Sequence, residues 1–149
     1  MSRLGIDQPH ILVDLDSTLA HYEGWTSAYD IGAPVKPMVD RIKKLLKEGK
    51  EVRIFTARVS EEGPYGPRPK HELDKTREVI RKWCKIHLGK ELEITNRKTF
   101  HTVQIIDDRC LQIVPNTGQS VVEFITGFGS RLENPYNLPI PSKEEIKTK

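Results

Sequence analysis

Apolar runs along this chain repeatedly end in acidic or hydroxylic residues. Residues 10–15 hold the uninterrupted run Ile11-Leu12-Val13 and then turn acidic, the pattern of a strand covered on both faces of a parallel sheet. From Pro37, the residues Met38, Val39, Ile42, Leu45 and Leu46 recur at helical spacing, with Pro37 suited to a first turn and Gly49 to a stop, which predicts an amphipathic helix. Residues 51–56 (EVRIFT) then read as a second strand, joined as in a right-handed β-α-β crossover. Residues 57–70 contain Gly63, Pro64, Gly66, Pro67 and Pro69, too many breakers for a helix or a central strand, and are predicted to be a long exposed loop. Leu73, Thr76, Val79, Ile80, Trp83 and Ile86 restore the helical period as far as Gly89, a glycine cap.

Two further short strands follow at residues 92–95 and 103–106, and each ends in polar residues. The resulting order, β-α-β-α-β-β with short joins, indicates an open, mainly parallel α/β sheet, doubly wound with helices on both faces, whose ligands gather at the carboxyl ends of the strands. Residues 111–115 are read as an edge strand, and residues 121–128 fit helix or strand equally. A proline-containing, charged end over 134–149 reads as a tail behind one domain spanning 1–133.

Composition narrows the class. With 149 residues, 36% hydrophobic and 30% charged, the chain suits one ordinary globular domain rather than a disordered or membrane-bundle protein. No apolar stretch approaches a membrane span and the first residues break any secretory apolar region with carboxylates, so a cytoplasmic location and no membrane partner are expected. Cys84 and Cys110 form neither a metal-type pair nor a disulfide framework and are read as buried, inert thiols. The net charge of +3 is spread along the chain, which is weak evidence for nucleic acid but leaves phosphate-bearing partners open. The five histidines show no zinc spacing, and no phosphate-binding loop of the kinase type occurs.

The candidate chemistry lies at the strand ends. Asp14-Leu15-Asp16-Ser17-Thr18 sets two carboxylates at i and i+2 where the first buried strand runs out, and in extended chain that spacing puts both on one face. Such a pair can bind a hard cation such as Mg²⁺ and can divide the roles of nucleophile and proton carrier. Taken alone, D-x-D is more often a turn, Thr56 an ordinary strand-end hydroxyl and Lys98 an exposed lysine. Together, Asp14 and Asp16, Thr56, Lys98 and Asp107-Asp108 follow four predicted strands and bring carboxylates, a hydroxyl and an ammonium to one crevice.

In these motifs, VDLDST, IFTAR, the lysine of TNRKTF and IIDDR, the chain resembles the haloacid dehalogenase (HAD) superfamily, in the right order across residues 10–109. The resemblance implies a Rossmann-like fold and a phosphatase that works through an aspartyl-phosphate. It implies Asp14 as nucleophile, Asp16 as general acid/base, Thr56 as a donor to a phosphoryl oxygen and Lys98 as the neutralising cation, with Lys90 and Arg97 as neighbouring alternatives. Asp14, Asp16 through its backbone carbonyl, and Asp108 helped by Asp107 would hold Mg²⁺. Asp16 and Thr18 match the phosphatase form D-x-D-x-T rather than the dehalogenases, which lack the second acid.

The spacings from Asp16 to Thr56 and from Thr56 to Lys98 are largely consumed by helix and strand, so no cap domain fits and only a flap and the 57–70 loop remain over the site. As in capless relatives, a large substrate or a neighbouring subunit could close it, which leaves a homo-oligomer open. His21, Tyr22, Trp25 and Tyr65, with Arg58, Arg68 and Lys70, place aromatic and basic groups there, suited to a nucleotide or a nucleic-acid end; a sugar phosphate is a further candidate. If the 57–70 loop recognises substrate, Arg68 and Lys70 are its expected contacts; otherwise Trp25 packs the flap and the basic residues are solvated charge. A receiver-like phospho-accepting module needs its acceptor acid after a middle strand, where this chain has Phe55-Thr56-Ala57-Arg58; an idle HAD-fold binding protein would have no need of the intact acidic set.

Overall fold

A computed structural model describes residues 6–122. The chain divides into two units between Asp108 and Arg109. In the first, β1 (His10–Asp14), α1 (Lys36–Lys47), β2 (Val52–Phe55), a 3-10 turn (Ala57–Val59), the short strands β3 (Glu62–Gly63) and β4 (Gly66–Pro67), α2 (Lys70–Leu88), β5 (Ile94–Thr95) and β6 (Thr102–Ile106) follow one another. The main sheet has the order β5-β2-β1-β6, with every pairing parallel, while β3 and β4 form a separate antiparallel hairpin. It is a doubly wound, mainly parallel α/β sheet flanked by helices, with no separate cap domain among the described residues.

Alternation along β1 explains its uninterrupted apolar run. Ile11 and Val13 join Val52 and Ile54 of β2 in a core closed by Val39 and Ile42 of α1 and Ile80, Trp83, Cys84 and Leu88 of α2. Leu12, which points to the other face, has no exposed surface either, so β1 is covered on both sides as a central parallel strand must be. Gly49 and Gly89 take positive φ, 80° and 78°, just past the two helices. After α1 the amide of Gly49 bonds the carbonyl of Leu46 and that of Lys50 bonds Leu45, the Schellman pairing that satisfies the last carbonyls.

Several expectations are corrected. Ile86 is 75% exposed: α2 buries the stripe Thr76, Ile80, Trp83, Cys84 and Leu88, and Ile86 lies off that arc. Ile80→Ala is therefore expected to cost about 3 kcal/mol in urea unfolding by opening a core cavity, whereas Ile86→Ala should cost less than about 0.5 kcal/mol. Residues 57–70 are not a long exposed loop, because the 3-10 turn buries Arg58 and Val59 and the glycines and prolines shape a hairpin. The strand expected over 92–95 is shorter, Ile94–Thr95. Cys84 is buried, and burial pushes its thiol up to about 12, but Cys110 is exposed.

In the second unit, Ile113 and Ser120 form an isolated antiparallel bridge around a turn in which Asn116 and Gly118 have positive φ, in place of the edge strand expected over 111–115. Val121 and Val122 are helical; the rest of the 121–128 run and the boundary at 133 lie outside the described residues. Among the described residues no helix is long and apolar enough to cross a membrane.

Candidate active site

The sheet order creates the site. From β1 the chain winds outward through β2 to β5, then returns to β6 on the other side of β1. The strand order thus reverses between β1 and β6, the place where parallel α/β sheets leave a crevice beyond their carboxyl ends. Register does the rest. Val13 pairs with Ile106, so the next step along both strands brings Asp14 beside Asp107, and Asp108 follows.

Carboxylate oxygens of Asp14, Asp107 and Asp108, all half-buried, lie within 4.8 Å of one another. Thr18 clasps the group: its hydroxyl lies 3.1 Å from Asp14 Oδ2 and 3.3 Å from Asp108 Oδ1, as donor to one or the other, and accepts from the Asp108 amide at 3.1 Å. The loop that delivers it is tight. The amides of Leu19 and Ala20 both bond the carbonyl of Leu15, and Ser17 between them holds φ 67°, a left-handed conformation that a non-glycine residue seldom adopts. Burial, a proton shared with Asp108 and the charge of Asp107 together push the Asp14 carboxyl up from 3.8 to about 8, against the opposing hydrogen bond from Thr18.

Asp16 turns away from this cluster. Arg58 Nε and Nη2 donate to its two oxygens, both at 2.8 Å, and Arg58 Nη1 donates to the carbonyls of Ser27 at 3.0 Å and Ala28 at 3.1 Å. The Arg58 side chain is 4% exposed and its guanidinium lies 5.4 Å from the centroid of the Trp25 ring. Arg58 is thus the principal residue that sequence reasoning undervalued. Read as one of several basic loop residues, it is a buried guanidinium whose four hydrogen bonds join Asp16 to the flap. The signal was its place three residues after a buried strand, inside a short turn capped by Thr56.

Thr56 is 3% exposed and its Oγ1 accepts from the Arg58 amide at 3.1 Å, which leaves the hydroxyl proton available to a ligand. Lys98 is exposed in the segment after β5. Arg68 and Lys70 differ in their placement. Arg68 has only 8% of its side chain exposed and donates to the Arg58 carbonyl and, at 2.9 Å, to the Thr76 hydroxyl; Lys70 is 89% exposed and paired with Asp74 one turn along α2 at 2.7 Å.

The flap is a closed loop rather than a loose strap. Ala20 bridges Pro34 and the His21 amide bonds the Ala33 carbonyl at 2.8 Å, so its ends meet. Gly32 makes this approach feasible, since a Cβ there would fall 1.9 Å from the His21 carbonyl oxygen.

No family model and no curated protein matches the chain. Among solved structures, one described as a conserved protein coded by a locus from Bacteroides thetaiotaomicron is 22% identical, covers 74% of this chain and 84% of its own, and superposes with a TM-score of 0.45. What the geometry establishes is an acidic triad, Asp14, Asp107 and Asp108, beside a buried acid–base pair at the switch point of a parallel sheet. Three hard oxygen donors that repel one another suit a divalent cation or acid–base chemistry.

Proposed function

We propose that the protein is a Mg²⁺-dependent phosphomonoester hydrolase of the HAD type, working through an aspartyl-phosphate on Asp14. The observation that carries this reading is the cluster of Asp14, Asp107 and Asp108 carboxylates, no wider than 4.8 Å, in which burial and the two neighbouring acids push the Asp14 carboxyl up. A divalent cation held by Asp14, Asp108, Asp107 and the Asp16 carbonyl would neutralise these acids and the oxygens of a phosphate monoester.

The chain's own groups account for the rest. An Asp14 oxygen attacks phosphorus, the ester P–O bond breaks, and the electron pair leaves on the ester oxygen, which takes a proton from Asp16. Water then attacks the phosphorus of the aspartyl-phosphate, gives a proton back to Asp16 and releases inorganic phosphate with Asp14 restored. Both Asp16 oxygens accept from Arg58, so one of these bonds has to open before the carboxyl can serve the leaving group. The Thr56 hydroxyl proton would go to a phosphoryl oxygen, and Lys98 would supply positive charge.

Hydrolysis of p-nitrophenyl phosphate should require Mg²⁺, stop with EDTA and return when Mg²⁺ is restored. Undiminished turnover in metal-free protein would overturn the reading. A protein that takes up phosphate from a small phosphodonor without turning over would instead match the receiver-like alternative.

A further inference from the structure

Between the flap and the β3–β4 hairpin lies a cavity of about 330 Å³, within the range of small-molecule sites. Trp25 and Tyr29 line the flap side, Pro64 and Tyr65 the hairpin side, and Glu72 closes it from α2. Tyr65 is 92% exposed at the hairpin tip, yet the hairpin that carries it is firmly held. Arg68 ties it to the Arg58 carbonyl and to Thr76, packed so closely on Gly63 that a Cβ there would fall 2.5 Å from Arg68 Cδ. The opposite wall is held by Arg58, which bonds Ser27 and Ala28 and lies over Trp25.

That same guanidinium holds Asp16, so a single side chain separates the proposed proton carrier from the cavity wall. The cavity is unsuited to the phosphate: Arg68 is committed to internal partners and lies 3.8 Å from the Glu72 carboxylate, and Arg58 faces Asp16 and the flap carbonyls. Aromatic groups on two walls and the Glu72 carboxylate favour a flat ring that bears N–H donors. A second cavity near 530 Å³, at the end of β5, has the Lys70–Asp74 pair in its walls, and neither Asp14 nor Asp16 lines it.

We infer that the flap–hairpin cavity is a base-binding subsite that takes the nucleobase of a nucleoside monophosphate, stacked between Trp25 and Tyr65 with Glu72 accepting an amino proton; its place as the leaving-group subsite rests on the hydrolase reading. The probes are adenosine and guanosine, which lack phosphate, titrated into the full chain and followed by tryptophan fluorescence, with the buried Trp83 as background. Both should quench the signal of Trp25. Tyr65→Ala should weaken guanosine about tenfold, as the loss of one stacking face predicts, and Trp25→Ala should remove the quenching. Ile86→Ala, on the exposed side of α2, should change neither.

Hydrolysis is measured separately, as kcat/KM for guanosine 5′-monophosphate against ribose 5-phosphate. A preference for the nucleotide of about tenfold or more that collapses in Tyr65→Ala supports the subsite. Equal kcat/KM for the two, with no quenching by either nucleoside, overturns the subsite and leaves the hydrolase intact. Quenching that depends on Trp25 and Tyr65 in a protein that hydrolyses no monoester supports the base site and overturns the hydrolase reading instead.

Discussion

Asp14→Asn is expected to lower phosphatase turnover by roughly four orders of magnitude or more, because the amide keeps the shape of the side chain but cannot attack phosphorus. The same variant should unfold at a higher temperature than the wild type in metal-free buffer near neutral pH, by roughly 5 °C, since it removes one acid from a crowded cluster. The sign follows from linkage. The Asp14 carboxyl is raised from 3.8 to about 8 in the folded protein, so between those values the unfolded chain releases a proton that the native protein keeps, and stability falls as pH rises through that window. Asp7 works in the opposite sense and outside it: a hydrogen bond from Thr99, then Arg53, holds its carboxyl down to about 2, so its contribution is present above 3.8 and is lost only as pH falls towards 2.

Thermal unfolding from pH 4 to pH 8 in EDTA, wild type against variant, checks this prediction. A declining Tm in the wild type and a flatter profile in Asp14→Asn are expected, and Mg²⁺ should raise the wild-type Tm much more than that of the variant. Calorimetry of Mg²⁺ binding at pH 7 in buffers of different ionisation enthalpy should also show release of up to about one proton, because a cation needs Asp14 ionised. Parallel pH profiles for the two proteins would remove Asp14 from the acidic coupling. Retained turnover in the variant would remove it from the nucleophile's role.

Arg58→Ala is expected to destabilise the fold by about 3–5 kcal/mol, the cost of removing one partner from a buried ion pair. Its guanidinium bonds both oxygens of Asp16 and two flap carbonyls at 2.8–3.1 Å, and its side chain is 4% exposed. Asp16 keeps 22% of its side chain in contact with solvent, so the lower end of that range is the better expectation. Arg58→Lys should recover little, since an ammonium cannot span the carboxylate and the two carbonyls as a planar fork does. Chemical denaturation gives the stability change. In whatever fraction folds, turnover should be lost as well, because the flap no longer shares a fixed anchor with Asp16. Wild-type stability for Arg58→Ala would show that the pair contributes nothing net.

Much of this architecture was legible in the chain. Three apolar residues followed by Asp14 signalled a central strand, because a run without alternation is stable only where both faces are covered, and Leu12 and Val13 are indeed fully buried. Gly49 and Gly89 marked helix ends through their freedom at positive φ, a local property. The acids at the ends of β1 and β6 could be expected to meet, since ligands collect where a parallel sheet reverses its order.

Other features depended on contacts between residues distant in sequence. Ile86 matched the helical period yet lies off the buried arc, because the helix phase is set by what it packs against. The glycines and prolines of 57–70 announced broken structure correctly but concealed a hairpin that Arg68 pins to Arg58 and Thr76. A basic residue in sequence is by default a solvated charge; whether it becomes a buried anchor depends on which carbonyls and carboxylates the fold brings to it. Local pattern thus determined the strands, the helices and the acids at their ends, whereas only the tertiary structure decided that Asp16 faces Arg58, that Thr18 clasps Asp14 and Asp108, and that Trp25 and Tyr65 flank one cavity. Apart from Thr18 and Asp14, four residues apart, those pairings cross long stretches of chain that no local preference spans.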